Sequence, residues 1–339
     1  MQAILAVTVP FFALVLLGWL GARTRVLPAS AIPGLNAYVL YFALPCMLFR
    51  FGSSLPLARL ADPSLLALYL AAAIVVIAVT VAMTLRRRGD ERSGVDLRDA
   101  AFGALVAAFP NAGFMGVPLL VALLGEAAAG PVIGAIVVDL VVTSTVCLAL
   151  AQSHVLRADT GSGTTASEEQ GLLRGAVLSL RSALTNPLPW AIAAGAGFAA
   201  TGLALPAPVA QIVRMLGDSA TPVALFTIGA VLFRAGQHIH TRTPPARYLP
   251  VALVKLVLHP ALVYGGGTAA AALGAPVPPF GLMVLTLTAA LPSASSVALL
   301  AERYGADNGR IARIVMASTA LAFATFSAAA WLFGVGGGG

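Results

Sequence analysis

Charge is the scarcest resource in this chain. Asp, Glu, Lys and Arg make up 10% of its 339 residues, where an average soluble domain has about 25%. With 59% hydrophobic residues and a mean hydropathy of +0.93, the polar residues are too few to clothe an ordinary water-facing fold. Cysteine is nearly absent as well. Cys46 and Cys147 both fall inside apolar runs, which excludes a disulfide framework. His154, His238 and His240 are scattered through polar links, too far apart in sequence for a metal site, and no cofactor motif is present. No Glu lies deep in an apolar run (Glu302 sits at an edge), and HExxH, P-loop and GxSxG patterns are all missing. The chain therefore lacks the signatures of zinc proteases, nucleotide-driven pumps and serine hydrolases, and no catalytic residue is assigned. A formal charge of +7 and a pI near 10.1 would suit nucleic acid. The basic residues lie between apolar runs, however, so they read as an orientation signal and no nucleic-acid partner is expected.

What is present is a series of ten apolar segments: 2–21, 32–54, 64–85, 100–124, 130–152, 187–206, 209–233, 249–271, 280–302 and 311–334. Each approaches the roughly 20 residues needed to cross a bilayer. The first has no basic leader and is followed by Arg23 and Arg25, so it reads as a span and not a cleaved signal. Of the 20 Lys and Arg, all but Arg50, Arg59, Arg214 and Lys255 lie in the links joining odd to even spans, counting Arg313 at the very start of the tenth span with its link. By the positive-inside rule those links are cytoplasmic and both termini lie outside. The longest link holds a Gly/Ser/Thr-rich stretch, 159–167, and then a pattern with Leu173, Val177 and Leu184 on one face and Arg174 and Arg181 off it. That pattern suggests a helix lying on the membrane surface. It divides the chain into 1–155, a linker 156–186, and 187–339.

The two outer parts share motifs. Ala43-Leu-Pro45-Cys-Met-Leu48-Phe49 and Ala220-Thr-Pro222-Val-Ala-Leu225-Phe226 both read A-x-P-x-x-L-F, 177 residues apart. Ala108-Phe-Pro110-Asn111-Ala112 and Ala290-Leu-Pro292-Ser293-Ala294 both read A-x-P-[N/S]-A, 182 apart. Five spans per repeat is an odd number, so the second repeat enters the membrane inverted, as in many secondary transporters. The expected fold is an all-α polytopic membrane protein, with ten transmembrane helices in two inverted five-helix repeats. Helices 4 and 9, broken at Pro110 and Pro292, would cross at mid-membrane.

Proline removes a backbone donor and clashes with the preceding turn, and in lipid each freed group needs a partner inside the protein or in a wet cavity. Paired breaks therefore mark a candidate binding site. Pro110, Asn111, Gly113, Phe114, Pro292, Ser293, Ser295 and Ser296 are its candidate residues. Half-helix starts with open amides and a positive dipole end would favour an anion such as a carboxylate. The alternative role for Asn111 and the serines is to cap their own half-helices. Of the few charges within spans, Asp139, Asp218 and Lys255 are the candidates. Intramembrane charges are functional candidates because they are costly. Asp218 and Lys255, on consecutive spans, could pair, either as a proton-coupling element or as a static salt bridge. His259, next to Pro260, reads as a hydrogen-bonded structural histidine, with a proton relay as its alternative.

The run Asn111-Ala-Gly-Phe-Met-Gly-Val-Pro118, Leu44-Pro45 after Leu35-Asn36, and Pro292 through Tyr304-Gly305 resemble the auxin efflux carrier family. The resemblance covers essentially the whole chain. It implies crossing broken helices in spans 4 and 9, with Pro110 and Pro292 as the crossover prolines and Asn111 as the first crossover asparagine. It also implies spans 1, 2, 6 and 7 as a scaffold, spans 3–5 and 8–10 as a transport bundle, and small organic anions as substrates. The chain departs from the plant carriers in having Ser293 where they have a second asparagine, and in its short central loop. It therefore reads as a bacterial-type carrier in an inner membrane, moving a small carboxylate such as malonate or an auxin-like acid, with proton linkage and a homodimer as further candidates. Sodium-coupled transport of the bile-acid-carrier type and a non-transporting ligand sensor are the alternatives.

Overall fold

A computed structural model describes residues 2–54, 62–86, 96–160, 177, 185–237 and 243–335. The surface helix expected in 156–186, the histidines at 238 and 240, Arg59 and the terminal glycine run 336–339 lie wholly or mostly outside the described residues. Among those described, every regular element is helical. Seven helices are long and apolar enough to cross a bilayer: α1 (Gln2–Arg23), α2 (Ala31–Ser54), α3 (Pro63–Arg86), α6 (Glu126–Gln152), α8 (Ala207–Gln237), α9 (Pro245–Ala272) and α12 (Asn308–Leu332). The protein is an integral membrane protein.

Between these lie shorter helices: α4 (Leu97–Ala108), α5 (Ala112–Leu124), α7 (Pro187–Ala200), α10 (Pro279–Ala289) and α11 (Ser296–Arg303). They fall in the fourth, sixth and ninth apolar segments. The fourth is cut by Pro110 into α4 and α5, and the ninth by Pro292 into α10 and α11, so neither forms one long helix. In the sixth, α7 has 14 residues, or about 21 Å at 1.5 Å rise per residue. Three of the long helices, α2, α6 and α9, carry an internal π-helical turn, at Val39–Ala43, Asp139–Thr143 and Val254–Leu258. Such turns open the helix by one residue and often mark functional positions. Two of them contain the intramembrane charges Asp139 and Lys255.

Helix packing separates two groups. α1 runs along α8, α2 runs along α7 and α8, while α3 packs on α4 and α9, and α4 on α6. Two glycine seams hold the first group. A Cβ on Gly18 of α1 would lie 1.8 Å from the Phe226 carbonyl oxygen of α8, and one on Gly229 of α8 would lie 1.9 Å from that of Val15. In the second seam, a Cβ on Gly52 of α2 would lie 2.5 Å from the Ile192 carbonyl oxygen of α7, and one on Gly195 of α7 would lie 2.2 Å from that of Phe49. In a membrane the hydrophobic effect does not drive helices together, so close backbone approach supplies the packing. Gly18 and Gly195 are 177 residues apart, as are Gly52 and Gly229. That is also the spacing of the A-x-P-x-x-L-F motifs.

The broken helices are surrounded by the others. Every residue of α4 from Ala100 to Ala108 is buried, and α10 is buried from Val284 through Ala289. A helix apolar all round its circumference belongs inside a bundle.

The seams yield the first prediction. Gly229→Ala forces α1 off α8 and lowers stability by about 1–3 kcal/mol, the usual cost of overpacking. Gly197→Ala, where the added methyl meets nothing within 4 Å, leaves it unchanged or slightly raised. Thermal unfolding of the purified protein in detergent measures both.

Candidate functional site: a cavity at two helix breaks

The breaks lie against each other. Pro110 and Ser293 form an isolated antiparallel bridge, in which Asn111 N–H donates to the Pro292 carbonyl at 2.8 Å and Ala294 N–H donates to that of Phe109 at 3.0 Å. Backbone groups released by each proline are thus paired with the other break. Beyond the bridge each chain turns back into helix. On the α5 side, Met115 and Gly116 N–H both donate to the Asn111 carbonyl, at 3.1 and 3.0 Å. The amides of Ala112, Gly113 and Phe114 precede these and are those that a helix start leaves open. On the other side, Val297 N–H reaches Ala294 and Ala298 N–H reaches Ser295, leaving the Ser295 and Ser296 amides in the corresponding position.

A cavity of about 160 Å³ opens at this point. Its lining includes Pro110, Asn111, Gly113, Phe114, Ser295, Ser296 and Asp139, so most of the residues singled out in the sequence converge. Pro292 and Ser293 stand behind the lining, one as acceptor and the other as partner in the bridge. Had Asn111 and Ser295 been caps, their side chains would bond to their own half-helices. Neither does. The Ser293 Oγ is buried with no hydrogen-bond partner among the described residues, while its N–H donates to the Ser318 hydroxyl at 3.2 Å.

Asp139, 1% exposed, joins the cavity to a buried polar cluster. Its carboxylate accepts from the Tyr69 hydroxyl at 2.9 Å and the Thr143 hydroxyl at 3.0 Å. Lys255 is wholly buried and donates to the Ala289 carbonyl at 2.7 Å, with His259 Nδ1 at 3.2 Å. Ala289 closes α10, so the ammonium sits on the negative end of that half-helix. Lys255 and Asp139 are buried on either side of the Tyr69–His259 contact, and opposite charges in one buried region offset part of the cost of burying either. The ring of His259 lies 5.5 Å from that of Tyr69. His259 is thus hydrogen-bonded, as expected, but its partner is an intramembrane charge.

Asp218 is elsewhere. It pairs with Arg50 at 2.6 Å on an exposed part of the surface, with side-chain exposures of 64% and 44%. The expected Asp218–Lys255 pair does not form, because Lys255 turns toward Ala289 and the side holding Asp139. Sequence reasoning missed several residues of this region. Asn36 and Asn186 line the cavity, and Tyr69, Thr143 and Ser318 support it. Asn36 could have been found as an amide inside an apolar run. Asn186 reads as a helix cap, and it is one, accepting from Leu188 N–H at 3.0 Å. Tyr69 and Ser318 carry no signal in an apolar sequence.

A larger cavity of about 410 Å³ adjoins the first and shares Asn36, Leu40 and Val231 with it. Arg234, Glu302 and Asn308 lie along its lining.

A bundle of membrane-crossing helices with a cavity at two interrupted helices is the layout of many membrane transport proteins. Consistent with this, a family model described as membrane transport protein matches residues 3–332. The chain belongs to that family, the auxin efflux carriers. It is 28% identical over 335 residues to a Rhizobium meliloti (strain 1021) protein named "Putative malonate transporter", covering 98% of this chain and 96% of that one. It is 23% identical over 294 residues to auxin efflux carrier component 8 of Arabidopsis thaliana, covering 77% and 79% respectively. The protein is a transporter and not an enzyme.

Asp139 and Asp218 differ in a measurable way. Tyr69→Phe leaves the Asp139 carboxylate short of a donor and costs about 1–3 kcal/mol of stability. Asp218→Asn breaks only an exposed pair and changes stability by less than about 1 kcal/mol. Melting of the two variants in detergent compares them directly.

Proposed function

We propose that the protein is a secondary active transporter of a small organic anion, binding its carboxylate at the cavity between the two helix breaks. One observation carries this reading. At the crossover the two bridging carbonyls and the last carbonyl of α10 already have donors, while the first amides of α5 and α11 are left open. Pro292 and Phe109 carbonyls accept from the bridge, and the Ala289 carbonyl accepts from Lys255. The cavity is lined by the start of α5 and the start of α11, together with Asn36, Asn111, Asn186 and Asp139. Two positive helix ends with open amides suit an anion.

The small cavity fits a short carboxylate better than a large amphipathic one, since pockets for drug-sized ligands run to about 300–1,000 Å³. The name of the Rhizobium relative points to malonate, and that of the Arabidopsis relative to auxin. The larger adjoining cavity, with Arg234 along it, is the approach from the side that the positive-inside rule makes cytoplasmic. Both termini then face outward from a bacterial inner membrane.

The rest of the mechanism follows the repeat. Residues 1–155 and 187–339 form two inverted repeats of five spans, a reading supported by the shared proline motifs and the 177-residue spacing of both glycine seams. The seam-packed α1, α2, α7 and α8 act as the scaffold, and α3–α6 with α9–α12 move against it to alternate access. Asp139 and Lys255 form the coupling element. Proton uptake by Asp139 neutralises the one acidic group on the cavity wall, which favours entry of an anion beside it.

Uptake of radiolabelled malonate, other dicarboxylates and indole-acetate into proteoliposomes, with and without an imposed pH gradient, tests the proposal. Saturable, gradient-responsive uptake is expected for at least one acid. Asn111→Ala raises its KM about tenfold or more, the loss of a hydrogen bond to a charged group. Asp139→Asn abolishes the response to the pH gradient while exchange of labelled for unlabelled acid continues. Binding with no uptake would make the protein a sensor. Uptake driven by a sodium gradient would overturn the proton-linked assignment.

A further inference from the structure

We infer that α12 is the brace that sets the position of the crossover, and that Arg310 and Ser318 are its two positioning residues. Functional consequences of this brace rest on the anion site proposed above, but its geometry does not.

Arg310 lies at the start of α12 and is 4% exposed. Its guanidinium bonds to three other helices. Nε donates to the Arg247 carbonyl of α9 at 3.0 Å, Nη1 to the Asp99 carbonyl of α4 at 3.3 Å, and Nη2 to the Thr84 hydroxyl of α3 at 3.3 Å. Gly103 of α4 makes room for it. A Cβ there would stand 3.3 Å from both terminal nitrogens, tighter than ordinary contact. The clasp is reinforced beside it, where Asp307 caps α12 by accepting from Arg310 N–H at 2.9 Å and donates its own N–H to the Asp99 carboxylate at 2.8 Å. Planar guanidinium, with five fixed donors, is suited to joining several elements at once, and lysine is not.

Eight residues further on, about 12 Å along the helix, Ser318 meets the other break. Its hydroxyl donates to the Val315 carbonyl at 3.0 Å, which orients its lone pairs to accept from Ser293 N–H. Ser293 is the bridge residue opposite Pro110. One unbroken helix therefore holds the outer end of the first broken helix and the interrupted strand of the second. The crossover itself consists of extended chain joined by two backbone bonds, so it has little stiffness of its own. The Ser295 and Ser296 amides follow two and three residues after Ser293. A shift of the strand moves them away from those of α5, and the two sets then no longer converge on one carboxylate.

The test combines a structural and a functional readout. In Ser318→Ala, amide hydrogen exchange in the segment around Ser293 and Ala294 should quicken about three- to tenfold, the range expected for one lost hydrogen bond. Exchange elsewhere and the melting temperature should stay near wild type. Ser318→Thr keeps the hydroxyl and should restore slow exchange. In proteoliposomes, Ser318→Ala should raise KM for whichever acid the wild type carries, with a smaller change in kcat. Arg310→Lys retains the charge but loses the fork, and should loosen the same crossover segment from 12 Å away. If neither variant alters exchange at the crossover, the brace is wrong. If exchange changes as described but the wild type carries no acid, the brace stands and the transport reading falls.

Discussion

A proline in the middle of an apolar helix leaves backbone groups that lipid cannot satisfy, and the centre of this structure follows from that constraint. Pro110 and Pro292 each interrupt a buried helix, and the simplest partner for one interruption is the other. The antiparallel bridge between Pro110 and Ser293 is the result. It fixes where α4, α5, α10 and α11 must meet. The long helices around them keep water and lipid from the exposed chain except at the cavity. Break the pairing, and two sets of peptide groups would be stranded in an apolar interior at a cost of several kcal/mol each.

Outside this centre the physics changes. α1, α2, α7 and α8 have no broken backbone to repair and are held by small residues, with backbone approaching backbone at Gly18, Gly229, Gly52 and Gly195. Such seams are rigid because nothing between the helices can change rotamer. On the proposed reading that suits a scaffold. The helices around the breaks are held instead by polar contacts, from Arg310 at one end to Tyr69, Asp139, Lys255 and His259 near the middle. Directional bonds of this kind lock the members of a bundle to one another while leaving its outer face free of them.

Much of this was legible in the sequence, for reasons particular to membranes. Long apolar runs announce helices with little ambiguity, and seven of the ten runs formed helices long enough to span. Proline inside such a run carries a strong signal. Pro110 and Pro292 do interrupt their helices, and Asn111, Ser295 and Asp139 line one cavity. Proline alone was not decisive, since Pro222 sits within an uninterrupted α8. What could not be read was pairing between helices distant in sequence. Asp218 and Lys255 are on consecutive spans, yet Asp218 found Arg50 across a surface and Lys255 found a backbone carbonyl. A carbonyl at a helix end has no letter in the sequence. Ser318 and Tyr69 were hidden for the same reason, because their significance lies wholly in the partner.

The polarity of the cavity depends on a choice that a broken helix does not make by itself. Each break exposes two helix ends, a negative one finishing the first half and a positive one starting the second. Left alone, these would cancel, and the site would favour neither sign of ion. Here part of the negative side is occupied by the protein's own donors: Ala294 N–H on Phe109, Asn111 N–H on Pro292 and the Lys255 ammonium on Ala289. The positive ends are left for a guest. Because the bridge is antiparallel, the two open ends belong to half-helices running in opposite directions. An anion held between them would meet a similar set of amides whichever face of the membrane it came from. Such a site gives no intrinsic preference for inward or outward binding. The direction of net transport would then be set by gradients acting on the anion and on Asp139, and not by the crossover.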